Sequence, residues 1–368
     1  MLHDAGGSAA DWQDLIWRLE SNGWPREQLL ALNQPDPWPL DAATAAQPGR
    51  STPTQRLAYL KQMLADIAAR RSESSIVLIG QGQGARTIEA YLGQPGAAPK
   101  VTQALLIGGD VAASAAAVPA KAAAPASAPA NASESAPQAA VTHLPAVARW
   151  DDAAFATVWT ALTGAPPLWR SIWPEFDQVV SGTVLGLAAE PAPRPGTTGA
   201  PVVNNRPLAG ATLRVYPVDA ATGLRTGGLV FEARTDGQGR FGPWHARQGQ
   251  AYEWVVQASG YAVTHVYRSP MPRGSDSLVL QAQRIADDAL RAHSIVFVQR
   301  PGQAQGASGD TDAELRLDGQ APAPHRLLLP KAPSRAVVAE ALAPQQERVV
   351  GRTLPAKDNH VTVLQFNQ

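Results

Sequence analysis

The chain has 368 residues, 45% of them apolar, with 31 basic against 31 acidic side chains and no cysteine. Its length exceeds what one hydrophobic core usually organises, so two or three domains are expected, and the balanced charge provides no field to gather nucleic acid or to hold the protein on an anionic membrane. The missing cysteines exclude disulfides, thiolate metal sites and a cysteine nucleophile but leave the compartment open.

Ser8 with Asp11 reads as a helix start, and Trp12, Leu15, Ile16 and Leu19 follow at the spacing of one helical face. Thr52-Pro53-Thr54-Gln55 is a capped start with proline at the first helical position, continued by the stripe Leu57, Leu60, Leu64 and Ile67. Ser75 to Ile79 is a continuous apolar run, as in a parallel strand covered on both faces. Gly80-Gln81-Gly82-Gln83-Gly84 makes the turn, Ile88, Tyr91 and Leu92 mark a helix, and Val101 to Ile107 is a second buried strand. Strand, helix and strand in this order predict a right-handed parallel unit.

From Val111 to Val141 the chain is almost entirely Ala, Pro and Ser and lacks the apolar bulk to offset ordering, so a disordered insert is expected over residues 111–143. Asp151 to Thr163 returns to helix with Gly164 as its stop. After Val179 the period becomes two: Val179 to Leu185, Ala211 to Val218, Leu229 to Thr235, Tyr252 to Ala258 and Ser277 to Leu280 read as strands of an antiparallel sandwich. Later short runs to Phe366 suggest a further small β module or an extension of the first. The expected division is 1–110, an α/β domain; 111–143, the insert; 144–187, its helical end; 188–201, a linker rich in Pro and Gly; 202–292, a β-sandwich; and 293–368, a C-terminal β module.

The turn Gly80 to Gly84, between an apolar strand and a helix, has the context of a G-x-S-x-G nucleophile elbow, with Gly80 and Gly84 as its flanking glycines. The middle position is Gly82, which has no nucleophile. His3-Asp4-Ala5-Gly6-Gly7 stands where such enzymes carry the loop giving one N–H of the oxyanion hole, and Gln83 stands where the second N–H comes from. His3, Asp4 and Gln83 are therefore the candidate oxyanion or ligand-binding residues. An ordinary glycine-rich βα turn is the plain reading of the same stretch. A phosphate loop lacks its lysine, and no acid follows at the interval of a dinucleotide fold.

With these residues go Trp17-Arg18-Leu19-Glu20-Ser21-Asn22-Gly23-Trp24-Pro25 and Val77 to Gly84 and, in the second half, Pro207 to Tyr216, Asp236 to Pro243, Ser259-Gly260-Tyr261 and His265 to Pro270. Together they resemble lipases and esterases of the α/β-hydrolase superfamily that carry a C-terminal β-sandwich akin to carboxypeptidase-regulatory-like domains. The resemblance implies an α/β fold: a partial hydrolase-like parallel sheet, short of its first strand and missing later ones, followed by all-β sandwich modules. It also implies a degenerate triad. The serine falls on Gly82, Leu144 to Trp150 holds no histidine where one belongs, and the acid-bearing strand is expected to have given way to the insert. His143 and Asp110 are the substitutes at hand.

The function expected is a non-catalytic homologue that binds an ester or lipid-like ligand or a protein partner. One alternative is an active carboxylic ester hydrolase with a non-standard nucleophile such as Ser8 or a residue of the insert. Another is a surface binding or adhesion protein acting through its sandwich. Trp150, Trp159, Trp169 and Trp173 pack one domain on the next or form an apolar surface. His245, His265, His293, His325 and His360 lie on separate β segments with no metal-like spacing, so neither metal nor cofactor is expected. No run nears the roughly 20 apolar residues of a membrane-spanning helix, and Met1-Leu2-His3-Asp4 has no signal-peptide pattern as written.

Overall fold

The computed structural model describes residues 1–41, 43–70, 75–94, 101–108, 139–147, 150–189, 201–285, 289, 292–301, 311–312, 314–324, 326–342 and 346–367. Both capping boxes read from the sequence form. Ser8 Oγ accepts from Ala10 N–H at 3.2 Å while Asp11 Oδ2 accepts from Ser8 N–H at 3.1 Å, and a 3-10 turn leads into α1 (Gln13–Ser21). Gln55 Oε1 accepts from Thr52 N–H at 2.8 Å and opens α2 (Pro53–Arg70).

Next come β1 (Ile76–Gln81), α3 (Gln83–Leu92), β2 (Val101–Ile107), β3 (Ala140–Leu144) and α4 (Asp152–Thr163). β2 pairs in parallel with both β1 and β3, and Leu2 forms parallel bridges to Gly80 and Leu32. Side-chain alternation explains the unbroken apolar strands. Ile79, Leu105 and Ile107 pack with Trp12, Leu15, Phe155 and Val158 beneath α1 and α4, whereas Leu78, Ala104 and Leu106 pack with Leu60, Leu64 and Ile88 beneath α2 and α3. The result is a parallel sheet with helices on both faces. One expectation is corrected here: residues 140–143, assigned to the insert, belong to strand β3.

The β half begins earlier than its composition suggested. β4 (Asp177–Ala189) pairs antiparallel with β5 (Pro201–Pro207), so the two sides of the expected linker are neighbouring strands of one sheet. Then follow β6 (Thr212–Val218), β7 (Phe231–Arg234), β8 (Arg240–Arg247), β9 (Ala251–Gln257), β10 (Val263–Arg268), β11 (Ser275–Ala282), β12 (Ser294–Gln299), β13 (Leu315–Leu317), β14 (Arg326–Leu329), β15 (Ala336–Ala341), β16 (Arg348–Arg352) and β17 (His360–Gln365). A four-stranded sheet runs β8-β4-β11 with β5 on β4, and a seven-stranded sheet runs β14-β12-β17-β10-β9-β6-β7. A three-stranded sheet runs β13-β15-β16.

β17 is central, parallel to β10 on one side and to β12 on the other. It serves both cores: Val363 faces the four-stranded sheet among Trp254, Val256 and Leu280, and Leu364 faces the three-stranded sheet among Val337 and Val349. The expected division at residue 293 therefore runs through a continuous sheet. β8 escaped prediction because Gly242-Pro243 interrupts it, and the register shifts there between Phe241 and Trp244.

The α/β half is built onto the β half. Trp17 of α1 lies in the core between the two larger sheets, its Nε1–H donating to Gly274 O at 2.7 Å. Asn205 Nδ2 donates to Gly7 O at 2.7 Å and to Gln34 O at 3.0 Å.

Candidate functional site

The turn after β1 is built by close approach. Gly80 and Gly84 bring β1 and α3 together, and a side chain on Gly84 would strike Leu2 O and His3 O. Gly82, which caps α3, has φ 50° and ψ −111°, a conformation that an L side chain adopts only under strain. Its N–H donates to Ile107 O at 2.8 Å, fixing it over the C-terminal ends of β1 and β2.

The space where a side chain of residue 82 would begin is filled by Asp4: a Cβ built on Gly82 collides with the Asp4 carboxylate. That carboxylate is also bound. Asp4 Oδ1 accepts from Gln83 N–H at 2.6 Å and from Ala5 N–H at 2.7 Å. One donor is the first residue of α3, where orphan N–H groups and the helix dipole favour an anion. The residue as a whole is exposed, so the carboxylate reaches this position from the solvent side. The Gln83 side chain is turned away and donates to Pro37 O at 3.0 Å.

His3 is fully buried and committed to the backbone. Its Nδ1 lies 2.7 Å from Asp4 O and its Nε2 lies 3.0 Å from Gln34 N, an arrangement that requires the neutral Nδ1–H tautomer. Burial pushes its pKa down to about 4. The ring thus shapes the loop and is uncharged near pH 7.

Of the other candidates, His143 is exposed on β3, its ring without a hydrogen-bond partner among the described residues. Asp110 lies outside the described residues. Ser8, the alternative nucleophile, is buried as a helix cap. The tryptophans divide. Trp150 is buried against Trp12 at 5.3 Å and donates to Asp11 O at 2.8 Å, and Trp159 packs on Phe155 and Trp24. Trp169 and Trp173 are exposed.

Sequence reasoning missed one constellation because its members are far apart in the chain. On the seven-stranded sheet Glu253 Oε1 lies 2.6 Å from His265 Nδ1, and His265 Nε2 lies 2.8 Å from His360 Nδ1. Tyr267 OH donates to the same carboxylate oxygen at 3.1 Å and Arg225 Nε to the other at 2.5 Å. Burial pushes the Glu253 carboxyl up, but the His265 and Arg225 hydrogen bonds outweigh it and hold the pKa at about 2. Burial and the neighbouring His265 lower the pKa of His360. Among the described residues no three His, Cys, Asp or Glu side chains converge in a metal-binding arrangement.

A search of curated proteins finds no match. Solved structures align at low similarity. The Bacillus anthracis TIE protein is 13% identical with a TM-score of 0.20 over 52% of this chain, which spans 34% of that protein's length. The shaft pilin SpaA of Lactobacillus rhamnosus GG is 10% identical with a TM-score of 0.21 over 52% of this chain and 98% of the pilin. The minor pilin GBS52 of Streptococcus agalactiae is 14% identical with a TM-score of 0.19 over 51% of this chain and 94% of that one. Residues 180–285, from within β4 to just past β11, match the model of the lipase C-terminal domain, which relates this part of the chain to lipases.

Proposed function

We propose that the chain is a lipase- or esterase-related α/β-hydrolase homologue that does not hydrolyse esters and acts by binding, with an ester- or lipid-like ligand or a protein partner as its target. The observation that carries this reading is the Asp4 carboxylate seated on the Ala5 and Gln83 N–H groups above Gly82. In an ester hydrolase those two donors take up the charge that develops on the carbonyl oxygen. Here an internal anion already satisfies them, and its negative charge opposes a second one. The nucleophile position holds only hydrogen, and His3 is neutral and engaged with the backbone. The parallel sheet with helices on both faces and the lipase C-terminal likeness of residues 180–285 support the kinship.

Purified protein incubated with p-nitrophenyl acetate and butyrate is expected to give no turnover above buffer. The Gly82→Ser variant is expected to be equally inert, because the new side chain meets Asp4 and has no base. Characterised triads stripped of their side chains retain roughly 10³- to 10⁴-fold over water through the oxyanion hole and binding, and a filled hole forfeits most of that. Phosphonate-sensitive turnover by the unmodified chain overturns the reading.

A further inference from the structure

We propose that the segment from Leu168 to Phe176, between α4 and β4, is an attachment surface for a phospholipid bilayer. Leu168 and Phe176 are 83% and 85% exposed, and Trp169 and Trp173 are 48% and 49% exposed. Such a concentration of large apolar side chains at the surface marks a contact site. The exposure does not come from a loose loop. Trp169 N–H donates to Asn22 Oδ1 at 3.0 Å, Asn22 Nδ2 returns a bond to Trp169 O at 2.8 Å, and Trp173 N–H donates to Ser21 Oγ at 2.9 Å. Arg273 Nη1 donates to Trp173 O at 2.8 Å, and Arg18 Nη1 donates to Arg170 O. Much of the segment's backbone polarity is thus satisfied inward while its side chains stand outward, as contact with hydrocarbon demands.

Three features select the occupant. The rings of Trp169 and Trp173 lie 4.8 Å apart but are tilted by 52°, so they offer no flat platform for a planar polysaccharide. Neither indole N–H has an acceptor among the described residues, and an indole with a free donor on an apolar body suits the ester-carbonyl level of a bilayer. Glu175 is turned inward, accepting from Arg26 Nη2 and Gly274 N–H, each at 2.8 Å, whereas Arg170 is exposed and its guanidinium has no partner among the described residues. The exposed Arg170 complements headgroup phosphate over acyl chain, while the exposed carboxylate of Asp177, next to Phe176, lies against His245 Nδ1 at 2.8 Å. The segment is bonded to Ser21 and Asn22 at the far end of α1 from the Ser8 cap and the Asp4 loop, about 20 Å away at 1.5 Å per helical residue. The surface is therefore separate from the Gly82 turn.

The test is flotation with phosphatidylcholine vesicles, read together with tryptophan emission. The unmodified chain is expected to float with the vesicles and its emission to shift to the blue. The Trp169→Ala/Trp173→Ala variant, and separately Leu168→Ser/Phe176→Ser, is expected to partition roughly tenfold or more weakly, a loss of about 1.4 kcal/mol or more. Unchanged circular dichroism is expected of both, because the altered side chains are exposed. No flotation of the unmodified chain, or equal flotation of the variants, overturns the proposal. So does a dimer abolished by the same substitutions in a chain that ignores vesicles, since a second copy then covers the patch. Ester turnover by a vesicle-binding chain would overturn only the non-catalytic reading above.

Discussion

Asp4 and Gly82 show how the space above a turn can be filled by a neighbouring loop's side chain. Asp4 is an acid in a glycine-rich loop at a point where two N–H groups converge, and a side chain two bonds long reaches back to satisfy both. The sequence displayed both partners, but the contact joins positions about eighty residues apart, and only the pairing of Leu2 with Gly80 brings them together. The turn itself was legible because strand, glycines and helix are local signals. The acid standing beside Gly6-Gly7 was the one local sign of an anion at that turn. His3 carries a pH prediction at the same scale. Burial holds its folded pKa at about 4 against 6.5, so the unfolded chain takes up the proton first. Its contribution to stability is complete above about pH 6.5 and declines as pH falls towards 4, by on the order of 3 kcal/mol. Urea midpoints measured between pH 7 and 4 are expected to fall less steeply for His3→Asn than for the unmodified chain.

At the scale of elements, capping boxes and turn glycines were readable because each acts within a few residues: Ser8 with Asp11, Thr52 with Gln55, Asp151 with Gly164. Strands that break the alternation rule were not. β8 carries Gly-Pro at its bulge, β5 lies against a stretch whose composition reads as linker, and β3 follows an Ala-, Pro- and Ser-rich run. The Glu253, His265 and His360 chain ties β9, β10 and β17 together from sites that no local pattern connects. Exchanging its carboxylate for an amide leaves one oxygen where two accepted from His265, Tyr267 and Arg225, and turns an NH2 donor toward some of those donors. Glu253→Gln is expected to cost about 1.5–3 kcal/mol. The unmodified protein has that contribution above about pH 4.5 and loses it as pH falls towards 2, because the folded carboxyl is held at about 2. Thermal melts at pH 7 are expected to separate the two proteins, and equal melting temperatures would dismiss the chain as a stabilising element.

Across the whole molecule the two halves share buried groups. Trp17 enters the core between the larger sheets, Ser275 Oγ donates to Gln13 Oε1 at 2.6 Å, and Arg273 Nε donates to Glu20 Oε2 at 2.9 Å. Calorimetry is therefore expected to show one cooperative transition, with no separate melting of the sandwich. Two resolved endotherms would mean that these contacts do not couple the halves. The sequence could not show this, because the residues concerned look like ordinary members of an amphipathic helix and a strand.

The placement of β17 bears on how the chain is made. A strand lodged between β10 and β12 keeps the large sheet split until His360 to Gln365 has been synthesised. At about 5–20 residues per second, the stretch from Gln299, where β12 ends, to Gln365 takes roughly 3 to 13 s to synthesise. During that interval β10 and β12 present raw edges to the cytosol or to a translocation pore, so a holding chaperone has most to do before the final strand arrives.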